Sequence, residues 1–137
     1  MKIVIDTNIF VASLSSNSKN HWLVEALLEK KFELCLTNEI LLEYEEILKN
    51  KYASFVADAF LTSLKDLSNV CEIQVHFQWD IIQIDPDDNK FVDCAIAGNV
   101  DFLISNDKHF NILKTIDFPK LNLLRLEEFE DIYKNEL

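Results

Sequence analysis

Glycine and proline are nearly missing from this sequence, with one Gly and two Pro in 137 residues. Collagen-like repeats, low-complexity tracts and long mobile loops all require far more of both. No internal repeat or linker breaks the chain, so the expectation is one domain over residues 1–137. A domain of that size buries roughly two thirds of its unfolded surface. Long apolar runs are missing too. None approaches the ~20 residues of a membrane-spanning helix, and the run Ile3-Val4-Ile5 before the first acid is too short for a secretory signal. Cysteine is scarce: Cys35, Cys71 and Cys94 are odd in number and lack metal-ligand spacing. They read as buried thiols of a reducing compartment, which makes the expected location cytoplasmic, without membrane association.

Positive charge is the last scarcity. Thirteen Lys and Arg stand against 24 Asp and Glu, for a net charge of −11. A module that binds nucleic acid by neutralising phosphates with its own side chains is basic, so a simple binding module is disfavoured. The same balance suits an enzyme that gathers carboxylates around a divalent cation, because the ion supplies the missing charge. A basic partner protein would supply it as well.

What is present is a core. About half the residues are apolar, and ten are Phe. The β-branched triplet Ile3-Val4-Ile5 reads as a buried strand that ends abruptly at Asp6-Thr7-Asn8. A polar loop follows at 13–18, then a helix from about His21 to Lys30 with Leu23, Val24, Leu27 and Leu28 on one face. Phe32 to Leu36 reads as a second strand. Thr37 or Asn38 caps a helix over Glu39–Lys51, and a further helix covers Ser54–Leu67. Val70 to Val75 alternates like a strand. The acidic cluster Asp85-Pro86-Asp87-Asp88-Asn89 leads into a helix from about Asp88 to Gly98, with the sole glycine at its C-cap. Phe102-Leu103-Ile104 is another buried strand. A short helix around Phe110–Leu113, a weak strand at Leu121–Leu124 and a closing helix from Arg125 to Tyr133 complete the chain. Strands alternating with helices predict an α/β fold, a three-layer α/β/α sandwich around a mostly parallel sheet.

In such a sheet, ligands bind outside the carboxyl ends of the strands. Asp6 follows the first strand there, and Asp107 follows the strand at 102–104 in the same way. Asp88 opens a helix and Glu43 lies one turn into one, so both start near the same edge. Four acids without matching bases raise one another's pKa, and a hard divalent cation with oxygen ligands relieves this. Mg2+ or Mn2+ held by a few carboxylates serves metal-assisted phosphodiester cleavage. Asn8 and Ser105 are placed to orient carboxylates or bound water.

These residues resemble a PIN domain, the fold of many VapC-like toxins. The likeness runs through Ile5-Asp6-Thr7-Asn8 and Asn38-Glu39-Ile40-Leu41-Leu42-Glu43-Tyr44. It continues with Asp85-Pro86-Asp87-Asp88-Asn89-Lys90-Phe91-Val92-Asp93 and Asp101-Phe102-Leu103-Ile104-Ser105-Asn106-Asp107. The resemblance implies an Mg2+- or Mn2+-dependent endoribonuclease acting on RNA, with Asp6, Glu43, Asp88 and Asp107 as its acidic quartet. It adds Asp93 at an acidic position common in this branch, although five residues beyond Asp88 is about 140° around a helix. It also implies a homodimer and, for a toxin, a cognate antitoxin protein.

Plainer readings compete with each assignment. Asp6 is also a turn residue after a strand, Asp88 and Asp107 are also helix caps, and Glu43 shares a solvated face with Glu45 and Glu46. Asp93 is an exposed helix position or pairs with Lys90 in its plain reading. His21, His76 and His109 are scattered and read as surface residues, and the acidic tail from Glu127 to Asp131 as a solvated helix face. A PIN-fold binding module without turnover is the competing class. A haloacid-dehalogenase-type phosphatase is disfavoured because Asn8 stands where its second Asp belongs. A receiver domain lacks its Lys after the last strand.

Overall fold

A computed structural model describes residues 1–136. Its centre is β1 (Lys2–Ile5), where Ile3, Val4 and Ile5 are at most 1 % exposed. An unbroken apolar triplet fits only a strand covered on both faces. β1 pairs in parallel with β2 (Glu33–Leu36) on one side and with β4 (Phe102–Ile104) on the other. β3 (Val70–Glu72) and β5 (Leu123–Leu124) complete a five-stranded sheet of order β3-β2-β1-β4-β5, parallel throughout. The expected α/β architecture is what the chain adopts.

Helices α1 (Thr7–Ser13) and α2 (Trp22–Leu28) connect β1 to β2, and α3 (Asn38–Lys51) and α4 (Ser54–Asp66) connect β2 to β3. The chain then reverses direction across the sheet. A 3-10 turn at Pro86–Asp88 and helix α5 (Asn89–Ala97) carry it to β4, and a 3-10 stretch at Lys108–Thr115 to β5. Right-handed crossovers send connections of opposite sense to opposite faces of a sheet, which produces the layered sandwich. The last helix, α6 (Leu126–Glu136), packs Phe129 and Tyr133 against Trp22 of α2. β1 and β4 flank the point where the strand order reverses, and their carboxyl ends leave a crevice there.

Some local readings change. Residues 9–12 follow no obvious period, yet they belong to α1, because Ile9, Phe10 and Val11 are all buried. β3 stops at Glu72 rather than Val75: its neighbour β2 ends at Leu36, and only Ile73 N–H still reaches Leu36 O, at 2.7 Å. Gly98 does cap α5, but with φ −81°, and the left-handed residue is Asn99 at φ 49°. The glycine serves close approach instead. A Cβ there would lie 3.1 Å from Cys94 O and 3.3 Å from the Ile73 side chain.

Two buried hydrogen bonds fix the crevice. Tyr44, fully buried and stacked on Phe10 with ring centroids 4.3 Å apart, donates its hydroxyl to Ile5 O at 2.5 Å. That bond sets the rotation of α3 about its axis, and so places the preceding residue, Glu43, at the end of β1. Asn89 does the same for α5. Its carboxamide bonds both N–H and C=O of Ile82, at 2.8 and 2.7 Å, and Pro86 O at 3.1 Å.

Candidate active site

Asp6 occupies the N-cap position of α1 yet makes no capping hydrogen bond. Its backbone N–H donates to Ile104 O across the sheet, which leaves the carboxylate at the mouth of the crevice between β1 and β4. There Oδ2 accepts the hydroxyl of buried Ser105 at 2.8 Å. Ser105 Oγ in turn accepts the backbone N–H of Asp107 at 3.1 Å. One hydroxyl thus couples the residue after β1 to the segment after β4. Asp107 also accepts from His109 N–H at 2.9 Å, so it caps the following 3-10 stretch as well as facing the crevice.

Asp88 is likewise at a helix N-cap without capping. Its Oδ2 meets His109 Nδ1 at 3.2 Å, and the same nitrogen lies 3.5 Å from Asp107 Oδ1. Glu43 accepts the Thr7 hydroxyl through one oxygen and the Lys90 ammonium, at 2.8 Å, through the other. Lys90 is shared with Asp87 at 3.0 Å. Burial alone depresses the Lys90 pKa, but these two carboxylates outweigh it and hold it above its ordinary value.

The electrostatics show how closely the acids are gathered. Burial pushes the Asp6 carboxyl up from 3.8 to about 6. The Ser105 hydrogen bond opposes that rise, and the neighbouring charges of Asp88, Asp107 and Glu43 add to it. Asp88 is raised as well, by burial first, with His109 pulling the other way. The other three acids of the expected quartet therefore all act on Asp6, and Asp107 acts on Asp88 as well.

Asp93 is not brought to this cluster. Its carboxylate accepts Trp79 N–H at 3.1 Å, in a cleft shared with Thr37, Glu39 and Lys90. The rotation of α5 between residues 88 and 93 turns it away, and it holds the 79–82 segment along the helix rather than joining Asp6. Nor does it pair with Lys90, which goes to Glu43 and Asp87. Asn8 is exposed on the crevice rim with Asp6 and Asp107.

Three participants escaped the sequence reading. His109 sits between two acids rather than on open surface, and its only sequence signal is its place two residues after Asp107. Lys90 and Thr7, each adjacent to or two residues from an acid, were legible only once Glu43 was placed. Asp85 also enters: it, Asp88 and His109 bring ligand atoms within 4.8 Å of one another.

The donor set fits a hard divalent cation. Asp6, Asp88, Asp107 and Glu43 offer oxygens, and Asp6 is buried among like charges that only a proton or a cation relieves. A family model for the PIN domain matches residues 2–109. The chain belongs to the PIN-domain family. Two solved structures share the fold. One is VapBC2 from Rickettsia felis bound to a DNA fragment from their promoter. It has TM-score 0.64 and 20 % identity, covering 91 % of this chain and 98 % of that one. The other is Mycobacterium tuberculosis VapC20, a Sarcin-Ricin loop cleaving toxin. It has TM-score 0.57 and 14 % identity, covering 80 % and 92 %. No curated protein sequence matches the chain. Among the described residues, no helix of this PIN domain is long and apolar enough to cross a membrane.

Proposed function

We propose that this PIN domain is a metal-dependent endoribonuclease that hydrolyses RNA phosphodiester bonds, and that it is the toxin of a toxin–antitoxin pair. The observation that carries the reading is the convergence of Asp6, Glu43, Asp88 and Asp107 at the switch point of the sheet, with Asp6 raised to about 6 by burial and by the other three. Residues 1–137 act as one domain in this reading, since β5 and α6, beyond the family match, pair with β4 and pack on α2. Support for the toxin role comes from the fold shared with VapBC2 and with VapC20, the latter a Sarcin-Ricin loop cleaving toxin. The working form is a cytoplasmic homodimer inhibited by a cognate antitoxin.

Asp6, Glu43, Asp88 and Asp107 would hold Mg2+ or Mn2+. When bound, the ion supplies an activated water and neutralises charge on the scissile phosphate. The chain's own groups do the rest. Ser105 fixes the Asp6 carboxylate from the sheet side. Thr7 and Lys90 hold Glu43 from two directions. His109 orients Asp88 and Asp107, and Asn8 borders the entrance.

Asp6→Asn tests the assignment. Metal-dependent cleavage of RNA should be lost while the fold is kept, and wild-type cleavage by the variant would overturn the site. Metal binding by the wild type without cleavage of any RNA would instead favour a binding module.

A further inference from the structure

The acid crevice does not end at Asp6. The cavity beside Asp6 and Asp107, about 330 Å3, is lined partly by Asn20, Asn106 and Leu126. The same three residues line a larger trough of about 690 Å3 that carries Lys19 and Arg125. The two spaces therefore adjoin across these residues, with Asp6 and Asp107 in one and Lys19 and Arg125 in the other.

Arg125 is the only arginine in the chain. It directly follows β5, so the parallel sheet delivers it to the same edge as the segment after β4. Its side chain is exposed, with one surface partner, Glu128, at 3.5 Å. Lys19 is exposed and makes no ion pair among the described residues. This contrasts with Lys90, whose ammonium is committed to Glu43 and Asp87. Asn106 accepts Leu126 N–H through Oδ1 at 3.0 Å, which holds its carboxamide in place and leaves the NH2 donors for a ligand.

We infer that this trough is the RNA track: Lys19 and Arg125 bind backbone phosphates beside the scissile bond, and Asn20 and Asn106 contact the nucleotide between those phosphates and the acids. A guanidinium matches a phosphate in bidentate geometry. Glu127 and Glu130 also line the trough, so its two bases meet two acids and the trough is close to neutral. On a chain of net charge −11 a near-neutral trough repels a polyanion less than the acidic surface at large. The inference rests on the ribonuclease reading and adds the substrate-positioning residues to it.

The test uses a labelled single-stranded RNA oligonucleotide. Binding is measured by fluorescence anisotropy between 50 and 200 mM salt, on roughly the scale where phosphate contacts are read out. Asp6→Asn, which is not expected to cut, is compared with Asp6→Asn carrying Lys19→Ala and Arg125→Ala. Two lost phosphate contacts on a single strand should weaken binding roughly twentyfold at 0.1 M salt and flatten the salt slope by about 1.4. In the otherwise wild-type chain, Lys19→Ala with Arg125→Ala should raise KM and spare kcat. An unchanged affinity and slope, with the wild type still cutting RNA, would overturn the track and leave the ribonuclease reading standing. Unchanged RNA binding with loss of a cognate protein partner would assign the trough to that protein. A wild type that neither binds nor cuts RNA would remove the ribonuclease reading, and this inference with it.

Discussion

Removing the charge of Asp6 should stabilise the metal-free protein. Asp6 is 7 % exposed, and burial with three neighbouring acids lifts its carboxyl from 3.8 to about 6. Between those two values the folded chain holds a proton that the unfolded chain has released. Stability therefore falls as pH rises through that window. At about 1.4 kcal/mol per unit, the loss reaches about 3 kcal/mol by pH 7. Asparagine has the same shape and no charge. Its Oδ1 still accepts the Ser105 hydroxyl, and its uncharged NH2 ends the repulsion from Asp88 and Asp107. Asp6→Asn in EDTA at pH 7 should be more stable than wild type by up to about 3 kcal/mol, or a Tm about 10 °C higher for a domain of this size. Its stability should also decline less between pH 4 and 6. Saturating Mn2+ should reverse the order, since a ligand at about a thousand times its Kd stabilises the native state by about 4.1 kcal/mol and the variant lacks the central acid. Urea denaturation with and without EDTA at pH 4.5 and 7 reads all of this. A folded Asp6→Asn that is less stable than wild type at pH 7 without metal would refute the electrostatic reasoning.

Other predictions follow from single contacts. Tyr44→Phe leaves Ile5 O buried without its donor, and should cost about 1–3 kcal/mol in urea denaturation; a neutral result would mean that the hydroxyl does not hold α3. Ser105→Ala removes the one hydrogen bond that lowers the Asp6 pKa, so the carboxyl 13C titration of Asp6 should move above about 6, and no movement would show the bond to be idle. Lys90→Met deletes the cation that competes for Glu43, and Mn2+ should bind severalfold tighter by calorimetry. Weaker binding would show instead that Lys90 orders Glu43 for the ion.

The sheet was legible in the chain because buried parallel strands leave unmistakable apolar triplets: Ile3-Val4-Ile5 and Phe102-Leu103-Ile104 are strands where the pattern puts them. Helix α1 was not, because seven residues give less than two turns of periodicity and four of its side chains are β-branched or aromatic. The acids were legible as a set because strand order and helix starts deliver them to one edge. Their partners were not. Whether a histidine is a surface group or lies between Asp88 and Asp107 depends on two segments 21 residues apart, and nothing local to His109 records that pairing. Asp93 shows the opposite limit. A motif position names an acid, but the turn of α5 decides which side of the helix it serves, and here it serves Trp79.

The hydrogen bond from Ser105 to Asp6 joins residues 99 apart in the chain. During synthesis Asp6 is made about a hundred residues before its partner Ser105 and before Asp107. β1 has no partner on one flank until β4 docks, so the crevice has one wall until then. A nascent or truncated chain ending before residue 102 has no complete site, whatever its acids. If the finished protein destroys RNA, the ribosome making it handles an inert product until β4 and the acid that follows it have been made. The topology thus sets a delay between synthesis and danger, an interval in which a co-translated antitoxin can be waiting.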